Sequence, residues 1–104
     1  MKDAFIHHVY FWLKNPESAT DKATLLDGLQ KLSAVPTIQQ VHIGVPATTD
    51  RDVIDGSYAF SWLCVFNTPE DQEIYQTHPI HLKFVDECKH TWSKVIVYDS
   101  VNPK

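Results

Sequence analysis

The segment Tyr75-Gln76-Thr77-His78-Pro79-Ile80-His81 sets three titratable rings within seven residues. A neutral imidazole can take a proton from the carbon beside a carbonyl, and a tyrosine hydroxyl can hydrogen-bond the oxygen on which charge then develops. Tyr75 and His81 are therefore candidates for a general base and its electrophilic partner. Pro79 disfavours helical geometry at His78 yet suits the first turn of a new helix, so the spacing predicts one helix ending near Gln76 and another opening at Pro79. His81 falls in that first turn, where the helix dipole disfavours an imidazolium and keeps the ring neutral near pH 7. His81, Val85, Cys88 and Trp92 recur at helical spacing as one apolar stripe, which turns His81 inward. A hydrogen-bonded histidine at the edge of a core fits the same pattern without any chemistry.

Strands and helices must carry this segment. Residues Phe5 to Leu13 read as a strand that ends at Asn15-Pro16. Its alternate positions, Phe5, His7, Val9, Phe11 and Leu13 against Ile6, His8, Tyr10 and Trp12, leave neither face suited to water, and they send His7 and His8 to opposite sides. Ser18 followed by Asp21, with Leu25, Leu29 and Leu32, marks an amphipathic helix over 19–34. A more polar strand follows over 38–45, with the character of an edge. The loop from Gly44 to Ser57 is long for a hairpin. Its acids Asp50, Asp52 and Asp55 lack the spacing, glycine and terminal glutamate of a calcium loop, which leaves ion pairing by Arg51 as the expected organiser. Tyr58 to Phe66 form a third strand, apolar on both faces. Thr68-Pro69-Glu70-Asp71 opens a short helix, Pro79 opens one reaching about Thr91, and Lys94 to Val101 alternate as a fourth strand. The order is βαββαβ, a ferredoxin-like α+β fold with helices on one face of a four-stranded antiparallel sheet. The opposite face of the sheet is apolar, and a second copy is its economical cover. A homodimer through that open face is expected.

Composition narrows the partners. The chain of 104 residues is expected to form one domain over 1–104, and its net charge of −4 with nine dispersed Lys and Arg argues against nucleic acid. The opening residues carry no sustained apolar run, so neither a signal peptide nor a membrane span is expected. Cys64 and Cys88 each lie in an apolar pattern, as buried free thiols do, and this suits the reducing cytoplasm. A metal site from His7, His78 and His81 is disfavoured, because no carboxylate or cysteine stands at ligand spacing beside them.

These residues resemble a known family. His7 to Lys14, Val35-Pro36, the Tyr75 to His81 segment with Phe84, and Trp92 with Val95 to Asp99 are together similar to the stress-responsive dimeric α+β barrel domain (Dabb) family. Its most specific element is Tyr-x-x-His-Pro-x-His. The resemblance implies a dimeric α+β barrel with a pocket between sheet and helices. One member, a plant polyketide cyclase, works without a cofactor. Carried over by position, His81 corresponds to its general base, Tyr75 to the tyrosine that polarises a substrate carbonyl, and His7 to a pocket histidine. Phe60 departs from the pattern, since the cyclase has histidine there.

The expectation is a dimer that binds a hydrophobic small molecule, with cyclase-, lyase- or isomerase-like chemistry carried by His81 and Tyr75. Substrate would be bound by His7, Phe60, Trp62, His78, Phe84, Val85 and Trp92, and no cofactor or metal is expected. The alternative is a non-catalytic dimer of a stress response or of ligand binding, in which the same residues only satisfy buried polar groups.

Overall fold

Strand β1 (Phe5–Leu13) takes an interior place in the sheet because both of its faces are apolar. In the computed structural model, which describes residues 3–104, it is followed by α1 (Ala19–Leu32), β2 (Gln40–Gly44), β3 (Phe60–Phe66), α2 (Pro69–Thr77), α3 (Pro79–Cys88), a 3-10 turn (Lys89–Thr91) and β4 (Trp92–Val101). Met1 and Lys2 lie outside the described residues. Among the described residues the strands form one antiparallel sheet in the order β2-β3-β1-β4. This is the ferredoxin-like α+β arrangement that the order of elements predicts.

Register decides which side chains meet the helices. His7 pairs with Cys64 and Asp99, Val9 with Trp62 and Val97, and Phe11 with Phe60 and Val95. The odd residues of β1 from His7 to Leu13 are all buried under the helices, whereas Ile6, His8, Tyr10 and Trp12 on the outer face are only partly covered. The core joins these rows to Leu25, Leu29 and Leu32 of α1 and to Phe84 and Cys88 of α3. On the outer face, Tyr10 packs edge-on against Tyr58 at 4.8 Å between ring centroids, and Tyr98 beside it is 63% exposed.

The helix starts follow local chemistry. Ser18 Oγ accepts from the Asp21 N–H at 3.1 Å and Thr68 Oγ1 from the Asp71 N–H at 3.1 Å, each replacing an intrahelical partner that the first turn lacks.

Two expectations are corrected. The last helix does not run to Thr91: α3 stops at Cys88, Thr91 Oγ1 donates to the Cys88 carbonyl at 2.7 Å, and Trp92 is the first residue of β4. The loop before β3 is not organised by Arg51, which makes no ion pair among the described residues. Instead Asp55 Oδ1 accepts from the Ser57 N–H at 2.9 Å, and the Trp12 indole N–H donates to Ser57 Oγ at 2.9 Å.

Helices α1 and α3 pack closely at Gly28. A Cβ there would collide with Cys88 Sγ and lie 3.1 Å from Phe84 Cδ1. Overpacking costs about 1–3 kcal/mol and helix propensity returns up to about 1 kcal/mol. Gly28→Ala should therefore lower stability by roughly 1 kcal/mol in urea unfolding, and Cys88→Ala in the same chain should remove most of that loss. A stabilised Gly28→Ala single variant would contradict the close approach.

Candidate functional site

The break between α2 and α3 is built by His78. Its backbone is extended (φ −64°, ψ 141°), as the residue before proline prefers, and its own N–H still donates to the Tyr75 carbonyl at 3.1 Å. Its Nδ1 accepts from the Ile80 N–H at 3.1 Å and so caps α3. Tyr75 thus sits in the last turn of α2 and His81 in the first turn of α3, and the two rings meet over the sheet with centroids 4.8 Å apart.

The sheet supplies the third ring. His7 stands 5.5 Å from Tyr75, edge-on, and its Nδ1 donates to Asp99 Oδ1 at 2.6 Å. That bond places a proton on Nδ1, so in the neutral ring Nε2 is the acceptor. Around these groups lies a cavity of about 270 Å³ between α3 and β4, lined also by Val9, Phe11, Leu32, Trp62, Gln76, Phe84, Val85, Trp92, Val95 and Val97.

Of the residues expected at a pocket, His7, Trp62, Tyr75, His81, Phe84, Val85 and Trp92 line this cavity. His78 does not; its Nδ1 faces the backbone of α3, where it accepts from the Ile80 N–H. Nor does Phe60, which lines a separate depression with Trp12, Pro46 and Tyr58 at the far end of β3. His7 faces the cavity and His8 the outer sheet face, as alternation along β1 requires.

Asp99 is the residue that reading for motifs missed. Its signal lies in the alternation of β4, where Val95, Val97, Asp99 and Val101 share one face: a lone acid in an apolar row asks for a partner. His7 is that partner.

Burial sets the protonation states. It pushes the Tyr75 hydroxyl well above the usual tyrosine range, with Cys64 acting in the same direction and the Trp62 side chain against it, so Tyr75 is a donor at every physiological pH. Burial likewise raises the Cys64 thiol to about 12, which leaves it unreactive. His81 is pulled below the ordinary histidine value of 6.5, first by burial and further by His7, while the Gln76 backbone opposes the shift. The ring is neutral at pH 7. Its Nδ1 is buried without a hydrogen-bond partner among the described residues, as is the indole nitrogen of Trp62.

A histidine whose folded pKa is depressed binds fewer protons folded than unfolded, so its burial costs nothing above the unfolded value and destabilises the fold as pH drops below it. His81 and His8 both shift this way. Stability should therefore fall as pH drops below 6.5. Urea midpoints across this range should show a shallower loss for His81→Ala than for the native chain; equal slopes would contradict the burial of a neutral His81.

The comparisons with known proteins agree with this architecture. The model of the stress responsive A/B barrel domain, Dabb, matches residues 5–102. A search of curated protein sequences finds no match. Among solved structures, a Dabb family protein with a ferredoxin-like fold from Mesorhizobium loti is 25% identical at a TM-score of 0.79, covering 99% of this chain and 100% of that one. A dimeric ferredoxin-like protein of unknown function from Thermobifida fusca is 17% identical at 0.77, covering 96% and 92%. The hydroxynitrile lyase from Passiflora edulis is 20% identical at 0.76, covering 97% and 94%. These last two likenesses are of fold. With its model match running from the first residue of β1 to just past β4, the chain belongs to the stress-responsive A/B barrel domain family.

Proposed function

We propose that this protein is a homodimer, joined through the outer faces of its sheets, in which each cavity binds a small apolar molecule and performs cofactor-independent acid–base chemistry on its carbonyl group. The observation that carries this reading is the convergence of Tyr75, His81 and the Asp99-bound His7 on one otherwise apolar cavity. A polar cluster inside apolar walls is the usual composition of a small-molecule site.

Each group has a role. The His81 imidazole takes the proton as the C–H bond beside the carbonyl breaks, and the released electron pair moves to the carbonyl oxygen as an enolate. Tyr75, held protonated by burial, donates a hydrogen bond to that oxygen. His7 Nε2 accepts from a hydroxyl or an enol of the same molecule, oriented by Asp99. Return of the proton from His81 to another atom gives isomerisation, and attack of the enolate on a second carbonyl gives aldol cyclisation. A hydroxynitrile lyase has a similar fold, so the scaffold is compatible with an enzyme.

Support for the dimer comes from the partly covered outer face of β1, from the exposed Tyr98 beside it, and from several structurally similar proteins described as dimeric. The free buried thiols Cys64 and Cys88 suit a reducing cytoplasm. No helix among the described residues is long and apolar enough to cross a membrane. One observation favours a second reading, binding without turnover: Tyr75 is only 1% exposed and packs at 5.2 Å against Phe66, as a core residue does.

Screening β-keto thioesters and related carbonyl compounds should find turnover that His81→Ala reduces at least about a hundredfold, and Tyr75→Phe by roughly as much, with native circular dichroism in both. Full rate in His81→Ala would leave binding as the function. In light scattering at micromolar concentration the native chain should have twice the protomer mass, and Tyr98→Lys with Tyr10→Lys should shift it to the monomer; a native monomer would overturn the sheet-to-sheet dimer.

A further inference from the structure

Resting on the reading of this cavity as a ligand site, we infer that it selects uncharged carbonyl compounds and excludes carboxylates, and that Asp99 sets this discrimination. Among the described residues, the lining contains no Lys or Arg; its one permanent charge is the Asp99 carboxylate. The lining histidines do not replace a missing cation. His81 is neutral at pH 7, and His7 gives its Nδ1 proton to Asp99. Even a protonated His7 would only balance the aspartate.

Asp99 stands where an arriving anion would meet it. Its side chain is 42% exposed, against 7% for His7, so it lies at the open side of the cavity beside the exposed Val97 of the same strand face. His7 engages Oδ1, and no hydrogen bond among the described residues reaches Oδ2. A carboxylate entering here would leave water for apolar walls, meet no counter-charge, and approach a fixed negative charge, three costs of the same sign. An uncharged carbonyl meets none of them, and its oxygen is matched by the Tyr75 hydroxyl donor. At a share of about 30 Å³ for each water-sized group, the cavity of about 270 Å³ has room for a body the size of one substituted ring.

The test uses three flat probes of nearly equal shape on the native protein: acetophenone, benzamide and benzoate. Binding is read at pH 7 from the indole N–H resonances of Trp62 and Trp92, which line the cavity. Acetophenone and benzamide should shift them with similar affinity, and benzoate should bind about tenfold more weakly or worse, the size expected for a partly screened charge. Asp99→Asn should strengthen benzoate binding severalfold relative to acetophenone. Benzoate binding as tightly as benzamide in the native protein would overturn the charge selection while leaving the ligand site in place. An unchanged benzoate deficit in a folded Asp99→Asn variant would overturn the role given to Asp99. If none of the three probes shifts either indole, the ligand site itself fails, and this inference with it.

Discussion

The site depends on the break between α2 and α3. Had the two helices run on as one, Tyr75 and His81 would lie on a single straight axis, six residues apart and on different sides of it. Pro79 prevents that by forcing His78 out of helical geometry. The His78 side chain then satisfies the Ile80 N–H left open by the new helix start. The cap costs the segment one of its three rings as a ligand-facing group. What it returns is a fixed angle at which the Tyr75 and His81 rings meet above the sheet.

The sheet answers with a row of its own. Because β1 is interior and its odd positions face the helices, His7 is carried under Tyr75 and within reach of Asp99 on the neighbouring edge strand. The edge position of β4 matters as well: Val95, Val97 and Asp99 stay partly open to solvent, so the space over them is a cavity with an entrance rather than a sealed core. Structure and chemistry thus share one geometry, in which α3 covers the middle of the sheet and stops short of its edge.

Much of this was legible in the residues. Apolar alternation gave the sheet rows, Ser18, Thr68 and Pro79 marked the helix starts, and the segment from Tyr75 to His81 marked the site. Three features were hidden for physical reasons. Trp92 continues the helical stripe of His81, Val85 and Cys88, yet the backbone leaves the helix before it; spacing alone does not register a terminal 3-10 turn closed by Thr91. His78 offers its ring equally to a ligand or to a backbone N–H, and the nearby N–H wins because it is already in place. Asp99 carried a readable signal, a single acid in a valine row, but its meaning required the partner that only strand register brings beside it. Phe60 shows a further limit: it shares a sheet face with Trp62, but the strand is long enough for its two ends to face different depressions.

In the reading proposed above, Tyr75 and His81 address one bound carbonyl group. A crystal structure of the protein soaked with acetophenone tests it directly. The ring should pack against Phe84, Val85 and Trp92, with the carbonyl oxygen about 2.7–3.0 Å from the Tyr75 hydroxyl and the adjacent methyl carbon facing the His81 imidazole. Acetophenone ordered in the cavity with its oxygen turned away from Tyr75, or a cavity closed by its own side chains, would contradict it.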